Sequence, residues 1–149
     1  MFNGVVYLAS DHAGYTLKGS LKSRLQGEGV SVVDCGPEHY DAGDDYPDFV
    51  EPAMQKLLED PTGRAVIVGK TGEGEAMDAN RFKHIRAAVY LGGPVDVVKF
   101  AREHNDANVL SLGADFVSED DAWTAVYLFL TTPFSGDARH VRRNAKLDD

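Results

Sequence analysis

Two clusters of this chain pair carboxylates with groups that stabilise negative charge. The string SDHAG places Asp11 beside His12, a carboxylate and an imidazole that could act as acid and base. The string GKTGEGE begins at Gly69 and forms a glycine-rich loop, whose backbone N–H groups could hold a phosphate or an oxyanion. Glu73 and Glu75 add two carboxylates to that loop, although a loop that only binds phosphate would lack negative charge. A carboxylate beside amide donors suits proton abstraction next to a carbonyl, with the amides holding the resulting enediolate.

Two later clusters add an imidazole and a group of guanidinium side chains. The string REHNDAN places His104 and Asn105 in a dense polar segment. The string RHVRR supplies three guanidinium groups within five residues. On a helix, Arg139, Arg142 and Arg143 would share one face through their spacings of three and four residues. Guanidinium groups arranged in this way suit the binding of a phosphate.

Each cluster also has a purely structural explanation. Asp11 could cap the following helix while His12 is solvated. Glu73 and Glu75 could favour a helix N-terminus and face solvent, an explanation that fits Glu73 better than Glu75. His104 could be a cation at a helix C-terminus, and the arginines could be a basic segment paired with acidic surface. The residue types alone leave these alternatives open.

Composition limits what these clusters can bind. Fifteen Lys and Arg against 24 Asp and Glu give a formal net charge of −9 over 149 residues, which argues against general binding of nucleic acid or anionic membranes. A small anionic ligand stays compatible, because a few clustered cations reverse the field locally. No apolar run approaches the roughly 18 residues that span a bilayer, and the first residues do not resemble a secretory leader. With neither a span nor a leader, we expect a cytoplasmic protein. The single cysteine, Cys35, excludes an internal disulfide and a multi-cysteine metal site, and it suits a reducing compartment.

Alternating strands and helices must position these residues. Apolar β-branched runs predict strands, and segments with apolar residues every three or four positions predict helices. The predicted strands are Val5–Ala9, Val30–Asp34, Arg64–Gly69, Ile85–Tyr90 and Val109–Leu112. The predicted helices are Tyr15–Gln26, Pro47–Leu58, a short one within Lys70–Phe82, Val95–His104, Asp120–Leu130 and Arg139–Leu147. This alternation predicts one α/β domain over residues 1–149, a Rossmann-like three-layer sandwich whose five-stranded parallel sheet carries helices on both faces.

Ligands of such a sheet bind beyond the carboxyl ends of its strands. Asp11 follows the first predicted strand and Lys70 follows the third, so both clusters belong to this edge. The acidic loop His39–Asp48 is long enough to suspect a function or a lid. An acid–base pair, an amide-lined loop with a carboxylate, an imidazole and an arginine group together describe an enzyme for a small anionic carbonyl substrate.

Together, several of these strings resemble a known family, the type B ribose-5-phosphate isomerase and galactose-6-phosphate isomerase group. The resemblance rests on SDHAGYTLK (10–18), DDYPDF (44–49), TGEGEAMDANRF (71–82), REHNDANVLSLGA (102–114) and RHVRR (139–143). These segments run in register over nearly the whole chain. The resemblance implies interconversion of aldose and ketose phosphates through a cis-enediolate, with no metal and no other cofactor. It also implies a homodimer or homotetramer whose active sites lie at a subunit interface.

The resemblance implies a role for each residue that matches the family pattern. Glu75 resembles the general base that moves a proton between C1 and C2, and His104 resembles the acid that opens the sugar ring. Many relatives instead use a cysteine at the end of the third strand, where this chain has Gly69, and Cys35 lies in the wrong segment to replace it. Thr71 resembles a catalytic hydroxyl donor. The residues expected to bind substrate are Asp11, His12, Lys70, Gly72, Glu73, Gly74, Asn105, Arg139 and Arg143.

Two positions depart from the family pattern. The family usually has an arginine two residues past the Leu-Gly of the fifth strand, where it helps to bind phosphate, but this chain has Asp115. The loop position usually held by glycine is Lys70, which adds a cation close to the expected enediolate or phosphate. These departures suggest that the substrate differs from ribose 5-phosphate in its anionic end or its length, as a four-carbon or six-carbon sugar phosphate would.

Two other functions remain in competition at this point. The chain could be a non-catalytic module that binds a phosphorylated metabolite and regulates a partner, with Asp115 as a sign of lost activity. Glu75 and His104 argue against that function, because a pure binder needs neither a base nor an acid. A flavodoxin-like nucleotide binder is disfavoured, because the acidic loop would repel a diphosphate.

Overall fold

A parallel sheet of five strands forms the centre of the molecule. The computed structural model describes residues 1–149. The strands are β1 (Val5–Ser10), β2 (Ser31–Asp34), β3 (Arg64–Gly69), β4 (Ala87–Tyr90) and β5 (Val109–Gly113). The helices are α1 (Tyr15–Gly27), α2 (Pro47–Leu58), α3 (Glu73–Ala79), α4 (Asp96–Asn105), α5 (Glu119–Thr131) and α6 (Ala138–Leu147). None of these helices combines the length and the apolar character that crossing a bilayer requires.

The strand order is β2-β1-β3-β5-β4, and every neighbouring pair is parallel. β3 therefore lies at the centre, with Gly69 at its carboxyl end beside Gly113 of β5. The central strands are apolar without alternation because both faces of the sheet are covered. The predicted sandwich, with a five-stranded parallel sheet, is confirmed.

Two apolar cores cover the two faces of this sheet. On one face, Leu21 of α1, Val98 of α4 and Phe129 of α5 belong to a single buried cluster. On the other face, Met54 of α2 and Ala79 of α3 belong to the second cluster. The last helix, α6, packs against α4 rather than directly on the sheet. This layering fixes which loops open at each edge of the sheet.

One strand boundary differs from the sequence prediction, and one lysine is buried. The fourth strand begins at Ala87 rather than Ile85, because the N–H of Ile85 donates to the carbonyl of Phe82 in a turn. Lys18, in α1, has a buried side chain. Its ammonium group donates to Asp34 at 2.7 Å and to the carbonyl of Pro37 at 3.0 Å, and these partners allow a charged group to be buried there.

Candidate active site

The turn after β1 is held tightly against β3. Asp11 is 8% exposed, and its Oδ1 accepts a hydrogen bond from the N–H of Gly14 at 3.2 Å. A Cβ atom at Gly14 would lie 2.3 Å from the carbonyl oxygen of Val68, so only glycine allows this approach. The contact brings the carboxylate of Asp11 beside the end of β3, where the glycine-rich loop begins.

The loop after β3 exposes backbone donors. Gly72 has a φ of +78°, and the hydroxyl of Ser111 donates to its carbonyl at 2.6 Å. A Cβ atom at Gly72 would lie 2.8 Å from that hydroxyl oxygen, so glycine is required there for both space and backbone geometry. The N–H groups of Lys70, Thr71, Gly72 and Gly74 donate to no acceptor of this chain. They form the bank of free donors that an oxyanion needs.

Glu75 points from the first turn of α3 back to the end of β3. Its side chain is buried, and a Cβ atom at Gly69 would lie 1.8 Å from its Oε1. The carboxylate therefore occupies the space that a side chain at position 69 would fill. Burial raises the pKa of Glu75, the nearby charge of Asp11 raises it further, and its own backbone N–H lowers it in part. A carboxylate poised in this way can take and return a proton.

The other polar residues of this loop are more open. Glu73 is exposed, as the structural explanation of this residue anticipates, and its N–H donates to the hydroxyl of Thr71 at 3.2 Å. The ring of Tyr46 covers Gly74, where a Cβ atom would lie 2.8 Å from the phenolic oxygen. Tyr46 precedes α2, so the loop after β2 contributes to this edge of the sheet.

The same loop supplies a partner for His12. Oδ1 of Asp44 lies 2.7 Å from Nδ1 of His12 and accepts the backbone N–H of His12 at 3.1 Å. The hydrogen bond with Asp44 raises the pKa of His12, and the charges of Asp11 and Asp41 add to this effect. Burial opposes the increase. His12 is therefore a favoured site for positive charge at an otherwise acidic edge.

One group of side chains at this edge has the composition of a metal site. Asp11, His12 and Asp44 offer ligand atoms within 4.8 Å of one another. However, Nδ1 of His12 and Oδ1 of Asp44 are only 2.7 Å apart. Two ligands of a tetrahedral zinc ion at ordinary bond lengths would be about 3.3 Å apart. The observed arrangement is that of a hydrogen-bonded pair.

The two positions that depart from the family pattern are neighbours in space. Nζ of Lys70 lies 3.9 Å from Oδ2 of Asp115, and the N–H of Asp115 donates to the carbonyl of Lys70 at 3.2 Å. Both side chains are largely exposed, so the pair adds little to stability. Its effect is on charge, because the carboxylate offsets the cation that Lys70 brings to the loop.

His104 and Asn105 lie at the opposite edge of the sheet. They end α4, which runs back from the carboxyl end of β4 towards the start of β5. The carbonyl of Asn105 accepts a hydrogen bond from Nε of Arg86, the residue just before β4. With strands of this length, the two edges are about 15–20 Å apart. One chain therefore does not bring His104 to Glu75.

The ring of His104 is part of an aromatic stack. It lies between the rings of Phe100 and His140, with centroid distances of 5.3 Å and 4.5 Å. Burial lowers the pKa of His140, and the charges of His104, Arg139 and Arg143 lower it further. These four basic residues thus form one cluster, which we call the α4–α6 basic cluster.

The arginines of this cluster are free to bind a ligand. Arg139 and Arg143 are exposed on α6 and form no ion pair or side-chain hydrogen bond within the chain. The helix places them four residues apart, on the same face. The predicted site residues thus fall into two groups at opposite edges: Asp11, His12, Lys70, Thr71, Gly72, Glu73, Gly74 and Glu75 at the carboxyl edge, and His104, Asn105, Arg139 and Arg143 in or beside the α4–α6 basic cluster.

Three residues that the sequence analysis did not single out contribute to these groups. Asp44 and Tyr46 come from the loop that was suspected of a function, and the acidic string before α2 was the signal for them. His140 lies within the string RHVRR and is buried against His104. No periodicity distinguishes a buried histidine from an exposed one in so short a helix.

No cavity of the single chain encloses the carboxyl-edge residues. The largest, about 610 Å³, lies between α1 and the end of β2 and is lined by Tyr15, Lys18 and Asp34 among others. Neither Glu75 nor His12 lines this or any of the other cavities. The carboxyl-edge group is therefore open on one side in the isolated chain.

Known proteins are similar to this chain in both sequence and fold. A family model described as Ribose/Galactose Isomerase matches residues 6–147. Ribose-5-phosphate isomerase B of Mycolicibacterium paratuberculosis is 39% identical over 138 residues, which cover 93% of this chain and 86% of that protein.

Two solved structures are similar over nearly the whole length. Ribose 5-phosphate isomerase B from Anaplasma phagocytophilum has a TM-score of 0.91 at 39% identity, and the match covers 99% of this chain and 98% of that chain. Ribose-5-phosphate isomerase B from Mycoplasma genitalium with bound ribulose-5-phosphate has a TM-score of 0.93 at 35% identity, and the match covers 99% and 96%. On the family match, the sequence identity and the shared fold, this chain belongs to the ribose/galactose isomerase family and is an isomerase.

Proposed function

We propose that this isomerase interconverts an aldose phosphate and a ketose phosphate, ribose 5-phosphate and ribulose 5-phosphate or a close tetrose or hexose phosphate. One observation carries the proposal: the buried carboxylate of Glu75 lies against Gly69, beside a loop in which four backbone N–H groups have no partner. The names of the relatives and the ribulose-5-phosphate in the Mycoplasma genitalium structure support this substrate class.

The proposed reaction is a proton transfer between neighbouring carbons. Glu75 takes the proton from C2 of the open-chain aldose, and the electron pair of that C–H bond forms the enediolate. The free N–H groups of the loop from Lys70 to Gly74 hold the developing negative charge, and the hydroxyl of Thr71 is a further donor. The proton on the C2 hydroxyl passes to O1 of the enediolate, and the protonated Glu75 returns its proton to C1 as the C2 carbonyl forms, which gives the ketose and restores the carboxylate. The proposal needs no metal or cofactor.

A second copy of the chain completes the site in this proposal. His104, with Asn105 beside it, would open the sugar ring of a substrate bound to the partner's Glu75, while Arg139 and Arg143 hold the phosphate. The separation of the two groups in one chain and the open side of the carboxyl-edge group support a homodimer, or a homotetramer built from such dimers. Three exposed apolar side chains beside the α4–α6 basic cluster would be buried in this interface: Val97, Phe100 and Val141.

Mixing two inactive variants tests this shared site. Glu75→Gln and His104→Ala should each be nearly inactive alone. After random reassociation half of the dimers are hybrids, and each hybrid has one intact site, so about a quarter of the wild-type activity should return. The measurement is isomerase activity of co-refolded chains that carry different affinity tags. Hybrids that are isolated with both tags and are still inactive would show that each site is built within one chain.

Arg139→Ala should chiefly raise KM. A phosphate contact is present in the ground state and in the transition state alike, so we expect KM to rise about tenfold with kcat nearly unchanged. Arg142→Ala is the matched control, because it removes the same charge from the same exposed helix at a position to which the family pattern gives no role. Equal increases in KM for both variants would show a general field effect instead of a phosphate contact.

Solvent deuterium exchange tests the function as a whole. A panel of four-, five- and six-carbon sugar phosphates in D₂O should show incorporation at C1 of the ketose or C2 of the aldose for at least one compound. Absence of both turnover and incorporation for every compound, with binding still measurable, would make the chain a non-catalytic binding module. The same panel tests chain length. A kcat/KM for ribose 5-phosphate well above the values for tetrose and hexose phosphates would refute the suggestion drawn from Lys70 and Asp115.

A further inference from the structure

Asp44 is a buried carboxylate that the reaction above does not use. Its side chain is 7% exposed, although it belongs to the loop between β2 and α2 (residues 35–46), which is otherwise acidic and largely exposed. Its Oδ1 accepts two hydrogen bonds from His12, one from the ring and one from the backbone. Its Oδ2 is buried and has no hydrogen-bond partner. The only group of opposite charge that contacts this carboxylate is therefore the ring of His12.

The short ring contact fixes the orientation of the imidazole. An ionised carboxylate only accepts hydrogen bonds, so the 2.7 Å contact requires the proton on Nδ1 of His12. The backbone hydrogen bond to the same oxygen keeps the two residues in register. Nε2 has no partner within the chain, and the His12 side chain is 33% exposed. Nε2 is therefore the ring nitrogen that is available to a ligand.

Carboxylates on two neighbouring segments favour the charged ring of His12, against the opposing effect of burial. Asp11 lies in its own turn, and Asp44 and Asp41 come from the β2–α2 loop. Tyr40 of the same loop packs edge-on against the ring at 6.3 Å, and Glu75 of α3 lies close enough to Asp11 for the two carboxylates to interact. No lysine or arginine forms an ion pair with Asp44 or Asp11. A buried carboxylate is costly without a cation, so Asp44 and a protonated His12 stabilise each other.

We propose that Asp44 is a positioning residue that holds His12 as an imidazolium, with Nε2–H directed at the anionic end of the substrate. This inference rests on the proposed function, because it assigns to His12 the recognition of a sugar phosphate. It explains how an edge rich in carboxylates can bind an anion. It also assigns a role to the β2–α2 loop, which supplies the carboxylate that keeps His12 protonated.

Asp44→Asn tests the proposal, because asparagine keeps the size and the acceptor atom but removes the charge. In the unliganded protein, the pKa of His12, measured by NMR of its ring, should fall by about one unit. The imidazolium exists only below that pKa. KM for the sugar phosphate should therefore start to rise at a lower pH than in the wild type, and at neutral pH it should be about tenfold higher with kcat little changed.

Asp41→Asn is the matched control. It removes one carboxylate from the same loop, but Asp41 is exposed and contacts the N–H of Gly43 instead of His12. Its effect on the pKa of His12 and on KM should be much smaller. A double-mutant cycle adds a second test, because Asp44→Asn should cost nothing further in a His12→Gln background if Asp44 acts through His12.

The results separate this proposal from the proposed function. An unchanged pKa of His12 in folded Asp44→Asn, or additive effects in the double-mutant cycle, would overturn the positioning role while leaving the isomerase intact. A lowered pKa in a protein that exchanges deuterium with no sugar phosphate would leave the pair in place but refute the isomerase. A variant that fails to fold is replaced by Asp44→Ser, which also removes the charge and is subject to the same expected changes.

Discussion

Glu75→Gln should lower kcat about a hundredfold or more, the usual contribution of a general base. Glutamine has the same shape, so it should fit against Gly69 without moving the loop, and the loss reports the missing proton acceptor alone. In the wild type, kcat/KM should rise with pH as Glu75 loses its proton, and because burial raises the pKa of Glu75, this rise should lie above the range of an ordinary glutamate. Steady-state kinetics over pH measures both effects.

The same substitution should stabilise the fold. Because the folded-state pKa of Glu75 is raised, ionisation of this buried carboxylate costs stability as pH increases past its unfolded value. Glutamine removes that cost, so Glu75→Gln should have a higher Tm than the wild type at neutral pH and no advantage at acid pH. Near wild-type activity in this variant would contradict the assignment and move the base to Glu73 or elsewhere.

Gly69→Ala should lower kcat about a hundredfold, although it adds one methyl group. The new Cβ would lie 1.8 Å from Oε1 and 2.2 Å from Cδ of Glu75, so the carboxylate must leave its position. A displacement of about 1 Å at a reacting group is enough for a loss of this size. The backbone of Gly69 does not have a positive φ, so alanine should not strain the strand itself.

Gly19→Ala is the control for this substitution. Gly19 lies in α1, and a Cβ atom there would meet no other atom within 4 Å. Alanine should stabilise the helix by about 1 kcal/mol and leave kinetics unchanged. A Gly69→Ala enzyme with normal kcat would show that Glu75 is not needed at that position, and a crystal structure of the variant would show where the carboxylate had moved.

The sequence was sufficient to predict the sheet, because its strands carry strong local signals. Ala65–Val68 is an uninterrupted apolar run, and both the bounds of the strand that contains it, Arg64–Gly69, and its place in a parallel sheet are confirmed. The start of β4 was predicted less well, because Ile85 has the apolar character of a strand residue while its N–H is used by a turn. The burial of Lys18 is not predictable from the sequence, because a lysine can be buried only if distant residues provide its partners, and sequence periodicity does not identify them.

The sequence predicted most residues of the candidate site but not their positions relative to one another. Glu75 was identified from its place in the glycine-rich loop, because a carboxylate among exposed backbone N–H donors is unusual. His104 lies at the other edge because α4 runs back along the sheet and His104 is near its end. The direction of α4 is known only once the helix is placed after a parallel strand. The pairing of Asp44 with His12 joins residues 32 positions apart, and no local pattern relates them.

The shared space of Gly69 and Glu75 has a consequence for how such enzymes diverge. In this chain a side chain at position 69 and the carboxylate of Glu75 would occupy the same volume, so a cysteine base at position 69 and the glutamate base exclude each other. A lineage that exchanges one base for the other must pass through a form with both groups, which is overfilled, or with neither, which has no base. The two bases are therefore alternatives separated by a paired substitution, and intermediates that carry both residues should be selected against.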